Sequence, residues 1–154
     1  MTAYFDSSVI VALYHQEHHS SDARRAVTAH ATVPFTPLLD LEVRTVLRRM
    51  VGWKLLTSRE SAALLSQLDD DLASGRLARP PLDLYAMCTR AEVLSARHAS
   101  RLSSRSLDML HVAAALELGC TRFVTLDSRQ ARLAAAAGLE SDDLAQRKTP
   151  PRRG

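Results

Sequence analysis

Two short runs of β-branched and aromatic residues, TAYF at 2–5 and TRFVTL at 121–126, each stop at an aspartate, Asp6 and Asp127. Helical spacing follows at once in both cases. Strands this short leave their backbone groups unmet unless they pair. A third extended run, VPFTP at 33–37, lies between them, and longer helical segments separate the three. Strands joined by helices pair in parallel, because the helix supplies the crossover. The pattern predicts an α/β fold: a central parallel sheet with helices on both faces.

The helical segments read clearly. Val9, Ile10, Leu13 and Tyr14 share a face, and HQEHHS at 15–20 breaks that helix. Residues 21–31 form a second helix. Residues 38–50 carry the stripe Leu39, Val43, Val46, Leu47 and Met50, ended by a turn at Gly52 and Trp53. Thr57 or Ser58 caps the next helix, with Glu60 or Ser61 following, and Leu64, Leu65, Leu68 and Leu72 form its apolar face. RLARPPLDL at 76–84 is an extended link. Helices follow over 85–98, over 106–118 (SLDMLHVAAALEL, capped by Ser106 and closed by Gly119) and over 128–137, closed by Gly138.

The length, 154 residues, suits one domain. We place it at 1–146, followed by a flexible basic tail at 147–154. Charge supports that division. The net charge is +3, yet Arg147, Lys148, Arg152 and Arg153 alone contribute four positive charges, so the body is slightly acidic. Overall basicity is therefore no argument for nucleic acid. No apolar run approaches the ~20 residues of a membrane crossing. An acid interrupts the N-terminal apolar stretch and no basic segment precedes it, unlike a signal peptide. A cytoplasmic protein is expected. Cys88 and Cys120 lack any CxxC or zinc spacing and are expected to be reduced, buried and structural.

Four acids stand apart. Asp6 and Asp127 end strands and precede helices. That position suits either helix N-capping or ligand binding at the carboxyl edge of a parallel sheet. Glu42 sits on the apolar stripe of its helix, where a carboxylate must be paired, protonated or metal-bound. Arg44 and Arg48 are the candidate partners nearby in sequence. Asp108 opens an otherwise apolar helix, one turn before His111, which can pack against it. Four carboxylates converging on one edge repel each other and require a cation; an all-oxygen set suits Mg²⁺ or Mn²⁺.

The blocks YFDSSVIVALYHQE, TPLLDLEVRTVLRR, RSLDMLHVAAALELG and RFVTLDSRQARLAAAAGL, in this order, resemble the PIN domain and within it the VapC-type toxin ribonucleases. The resemblance runs from about Ala3 to Leu139. It implies a PIN-like three-layer α/β/α fold and a Mg²⁺- or Mn²⁺-dependent endoribonuclease toxin of a toxin–antitoxin pair. It also implies an RNA substrate, a cognate VapB-like antitoxin and a homodimer. It places the four family acids on Asp6, Glu42, Asp108 and Asp127. Asp6 and Asp108 would be the main metal ligands, with Glu42 and Asp127 positioning water or holding a second ion. The small polar residue after the first acid falls on Ser7, with Ser8 beside it, to orient water or phosphate.

Arg101 and Arg105 precede Asp108 and suit phosphate contacts or simply a solvated loop. Trp53, if exposed, suits an anchor for the antitoxin; if buried, it caps a helical hairpin. Asp69, Asp70 and Asp71 read as a solvated face. His15, His18 and His19 lack a metal-binding motif. The competing readings are a catalytically silent or a DNA-directed PIN-like module that binds nucleic acid or a protein partner. A phosphoaspartate protein fits poorly: no Lys ends a late strand, and Asp6-Ser7-Ser8 is not DxD.

Overall fold

A computed structural model describes residues 2–16 and 18–147. β1 (Ala3–Phe5), β4 (Arg122–Thr125) and β5 (Glu140–Asp143) form a parallel sheet in the order β1-β4-β5. β2 (Val33–Pro34) and β3 (Leu77–Ala78) form a second parallel pair. The helices are α1 (Ser7–Tyr14), α2 (Ser20–Thr28), α3 (Pro37–Gly52), α4 (Ser58–Ala73), α5 (Leu84–Leu102), α6 (Ser106–Glu117) and α7 (Ser128–Ala136). The parallel α/β architecture is as expected.

The core forms between the strands and the helices packed against them. All three phenylalanines, Phe5, Phe35 and Phe123, are fully buried, as is Tyr4, which stacks on Phe123 at 5.4 Å between ring centroids. α6 packs mainly along α5 and buries nearly every side of its middle turns. This explains why its sequence is apolar all round and carries little stripe. Small alanines there let the helices approach closely. Gly119 and Gly138 follow α6 and α7 with φ of 66° and 91°, the left-handed conformation that the two stop signals predict. Thr57 and Glu60 form the expected capping box of α4.

Several expectations are corrected. VPFTP is strand only over Val33–Pro34: Thr36 caps α3, and Pro37 occupies its first turn, where its missing N–H costs nothing. The 76–84 link contributes β3, and residues 140–143 form β5. Both were invisible as strands because they are polar or two residues long, and only pairing makes them extended. α6 is capped at Arg105 and not Ser106: Asp108 reaches back to accept the Arg105 N–H at 2.8 Å. Cys120 is buried and its thiol is pushed up to about 11 by burial, but Cys88 is exposed. The acid run is less free than expected, since Asp69 binds Arg44 and Asp71 accepts the Tyr14 hydroxyl at 2.6 Å. Arg147, placed in the tail by sequence, is fastened to Asp142 at 2.6 and 3.1 Å. The rest of that tail, 148–154, lies outside the described residues.

Candidate functional site

Parallel register builds the site. Phe5 pairs with Val124, so the next residues, Asp6 and Thr125, emerge together at the carboxyl edge of neighbouring strands. Asp6 is 3% exposed. One oxygen accepts the Ser8 hydroxyl at 2.6 Å and the Val9 N–H at 3.2 Å, capping α1; the other accepts the Thr125 hydroxyl at 2.7 Å. Thr125 in turn accepts the Asp127 N–H at 2.9 Å. Ser8 accepts the Leu126 N–H at 3.0 Å. These bonds lock the two strand ends to each other.

Every donor to Asp6 is neutral. Burial pushes its carboxyl above the ordinary range, against the opposing pull of Ser8, Thr125, the nearby His111 ring and the Val9 N–H. Asp127 is more open. It caps α7 through the N–H groups of Arg129 (2.8 Å) and Gln130 (3.4 Å) and meets the Arg129 guanidinium at 3.3 Å. Burial raises its carboxyl, but these Arg129 and Gln130 contacts outweigh burial and hold it low. Both strand-end acids thus do the capping that the sequence allowed. Asp6 also carries the cross-strand bond.

Glu42 arrives from the second turn of α3. Its carboxylate binds His111 Nε2 on α6, and the Ser7 side chain lies near enough to lower its pKa. Neither Arg44 nor Arg48 is its partner; Arg44 turns to Asp40 and Asp69. Burial raises the Glu42 carboxyl, and the His111 and Ser7 contacts more than reverse this, so it sits below its ordinary value. The hydrogen bonds of His111 go to Glu42 and Tyr4, and that of Asp108 goes to the Arg105 N–H. The other ring nitrogen of His111 meets the Tyr4 hydroxyl at 2.9 Å, and Tyr4 lies 3.4 Å from the Thr36 hydroxyl. An ionised carboxylate only accepts, so Nε2 carries a proton toward Glu42. Burial drives the Tyr4 phenol far above its ordinary range, so it stays neutral.

Asp108 lies one turn before His111. It stands in the first turn of α6, the helix that precedes β4. Asp6 and Asp127 thus share the strand edge, and the Tyr4–His111–Glu42 contacts tie Glu42 on α3 to β1. Asp6, Glu42 and Asp108 have no Lys or Arg ion-pair partner among the described residues. Arg101 bonds His98 at 3.2 Å and the Arg105 side chain is exposed, both on the approach to Asp108. Ser8 is committed to Asp6 and Leu126, which makes it a residue that positions the acid.

Among the described residues, no group of three or more His, Cys, Asp or Glu is arranged to hold a metal ion by itself. The donor chemistry nevertheless suits Mg²⁺, which takes one or two carboxylates and completes its shell with waters and substrate phosphate. Asp6, a buried carboxylate without a cationic partner, fits that need. The sequence reading missed Thr125 and the Tyr4–His111 pair. Two signals pointed to them. Tyr4 precedes Asp6 by two, on the same face of its strand, and His111 follows Asp108 by three, on the same face of its helix.

The PIN domain family model matches residues 3–136. No curated protein matches the chain. Among solved structures, Mycobacterium tuberculosis VapC20, a Sarcin-Ricin loop cleaving toxin, is similar with a TM-score of 0.67 at 18% identity, over 92% of this chain and 99% of that one. FitAcB from Neisseria gonorrhoeae is similar with a TM-score of 0.66 at 14% identity, over 94% and 99%. At these identities the two likenesses establish the shared fold.

Proposed function

This chain belongs to the PIN domain family, and on that premise we propose that it is a divalent-metal-dependent endoribonuclease, the toxin of a toxin–antitoxin pair. The observation that carries the reading is Asp6. A 3%-exposed carboxylate held only by neutral donors, at a strand end beside the one that leads to Asp127, is costly unless a cation uses it. In a structural ion pair that cation would be a guanidinium.

In this reading Asp6 and Asp108 hold Mg²⁺ or Mn²⁺, and Glu42 and Asp127 position water or take part in a second ion site. The bound ion supplies an activated water at neutral pH and offsets phosphate charge. The chain's own residues do the rest. Ser8 and Thr125 fix the Asp6 oxygens from two strands, so the acid loses little freedom when it binds. His111 holds the Glu42 carboxylate in one orientation and keeps it ionised. Ser7, beside both acids, can orient water or phosphate, and Arg101 and Arg105 lie at the approach for phosphate.

The same reading includes a VapB-like antitoxin partner, a homodimer and a cytoplasmic location. Leu84, Tyr85 and Val93 on α5 are exposed and provide apolar surface for such contacts. Among the described residues, no helix is long and apolar enough to cross a membrane.

The test is cleavage of RNA by purified protein with Mg²⁺, Mn²⁺ or EDTA, followed by sequencing of the cut ends. Discrete ends that require metal support the reading. Intact RNA under all three conditions, or cutting of DNA alone, refutes it.

A further inference from the structure

The tip of the α3–α4 hairpin is unlike the rest of this slightly acidic body. Residues 43–59 hold five basic side chains, Arg44, Arg48, Arg49, Lys54 and Arg59, and no acid. Arg44 is neutralised by Asp40 and Asp69. Arg48, Arg49, Lys54 and Arg59 are exposed and take no ion-pair partner among the described residues, whereas the exposed Arg79 and Arg90 do.

At the same tip stands Trp53, the chain's single tryptophan, 51% exposed. The Arg49 guanidinium lies over its ring, 4.6 Å from the centroid. A groove of 540 Å³ adjoins it, lined by Thr45, Arg48, Arg49, Gly52 and Trp53. The turn that presents the ring is fixed by backbone bonds. Trp53 N–H donates to Arg49 C=O at 3.0 Å, Lys54 N–H to Val51 C=O at 3.0 Å and Leu55 N–H to Met50 C=O at 2.9 Å.

Helical geometry connects this tip to the candidate site. Thr45, Arg49 and Trp53 follow Glu42 by three, seven and eleven residues, one face of α3, so the ring lies about 16 Å along the helix from Glu42. A strand of nucleic acid crossing the acids can continue along that face to the tip. An exposed aromatic ring backed by arginine is a stacking platform for an unpaired base, and flanking cations attract phosphates.

We propose that the α3–α4 tip is a subsite for single-stranded RNA: Trp53, backed by Arg49, stacks an unpaired base a few nucleotides from the cleavage point, and Arg48 and Lys54 hold the adjoining phosphates. The substrate class rests on the nuclease reading above. The concentration of unpaired positive charge favours a polyanion over a protein partner at this surface.

Trp53 is its own probe. Titrating an unstructured RNA oligonucleotide into the full chain in EDTA should quench its fluorescence saturably, with the midpoint moving to higher RNA concentration as salt rises. Trp53→Ala should weaken binding at least ~5-fold, in line with ~1–3 kcal/mol per stacked base, and Trp53→Phe should restore most of it. Arg48→Gln should lower the slope of log affinity against log salt by about 1. Circular dichroism checks that each variant is folded. Unchanged fluorescence, with RNA affinity equal in Trp53→Ala, Arg48→Gln and the parent, overturns the subsite. So does a Trp53→Ala protein that binds RNA normally but loses a co-purifying protein partner, which would assign the tip to that partner. Failure of the nuclease reading shows separately, as uncut RNA with metal present.

Discussion

Two sets of acids in this molecule are treated differently by the same fold. Along α3 and α4, carboxylates are matched with guanidinium groups: Asp40 takes Arg44 and Arg79, Asp69 takes Arg44, and Asp71 faces Arg76 at 3.9 Å. Among the four candidate site acids, Asp6 at its strand end has only hydroxyls and an N–H, Glu42 on α3 has a histidine and Asp108 on α6 has a backbone N–H; Asp127 alone meets a guanidinium, that of Arg129. The first set is satisfied in the chain alone. The second is held in place but left short of positive charge. A site that must bind a cation has to be built this way, because a resident arginine would compete for the same oxygens.

The contrast can be broken most severely at Asp108. Asp108→Asn can still accept the Arg105 N–H, so the folded state should survive, and removal of one negative charge relieves repulsion. RNA cleavage should fall at least ~100-fold, about 2.7 kcal/mol of barrier, and the rise in melting temperature on adding Mg²⁺ should largely vanish. A variant that unfolds would show that the capping role is its main one.

Thr125→Val probes the neutral scaffold. It removes the donor to Asp6 and the acceptor of the Asp127 N–H at a buried position. A loss of ~1–3 kcal/mol in urea unfolding is expected. A variant as stable as the parent would mean that water replaces the hydroxyl.

Glu42→Gln keeps size and hydrogen-bonding capacity but loses charge. Turnover should drop ~10-fold. Its pH behaviour has a definite sign. The folded carboxyl sits below its unfolded value of 4.5, so its stabilising contribution is present above pH 4.5 and is lost as pH falls through the lower, folded value. The melting-temperature gap between parent and variant should therefore close in acid. Asp6 runs the other way: its raised value means that ionisation costs stability near neutrality, and acid relieves that cost. Full activity in Glu42→Gln would remove Glu42 from the site.

The smallest effect is expected from the satisfied set. Arg44→Gln leaves Asp40 with Arg79 and should cost no more than ~1 kcal/mol, less at high salt, with RNA cleavage unaltered. Lost cleavage there would erase the distinction between the two sets.

The sequence by itself determined which acids were out of place. Asp6 and Asp127 were legible because each closes a β-rich run before a helix, and Glu42 because it interrupts an apolar stripe. Those are local patterns, written in periodicity and capping preference. Partner choice was not legible. Glu42 lies 69 positions from His111 and Asp6 lies 119 from Thr125, and only the parallel register and the packing of α6 bring them together. β3 and β5 were decided in the same way. Two residues, or a polar ESDD, have no intrinsic reason to be extended, and they become strands because a neighbour offers unpaired backbone groups. The open ring of Trp53 is likewise tertiary. Gly52 and Trp53 marked a turn in sequence, but whether that turn folded inward or projected with its arginines depended on how α3 and α4 pack, since burial belongs to surfaces and not to residues.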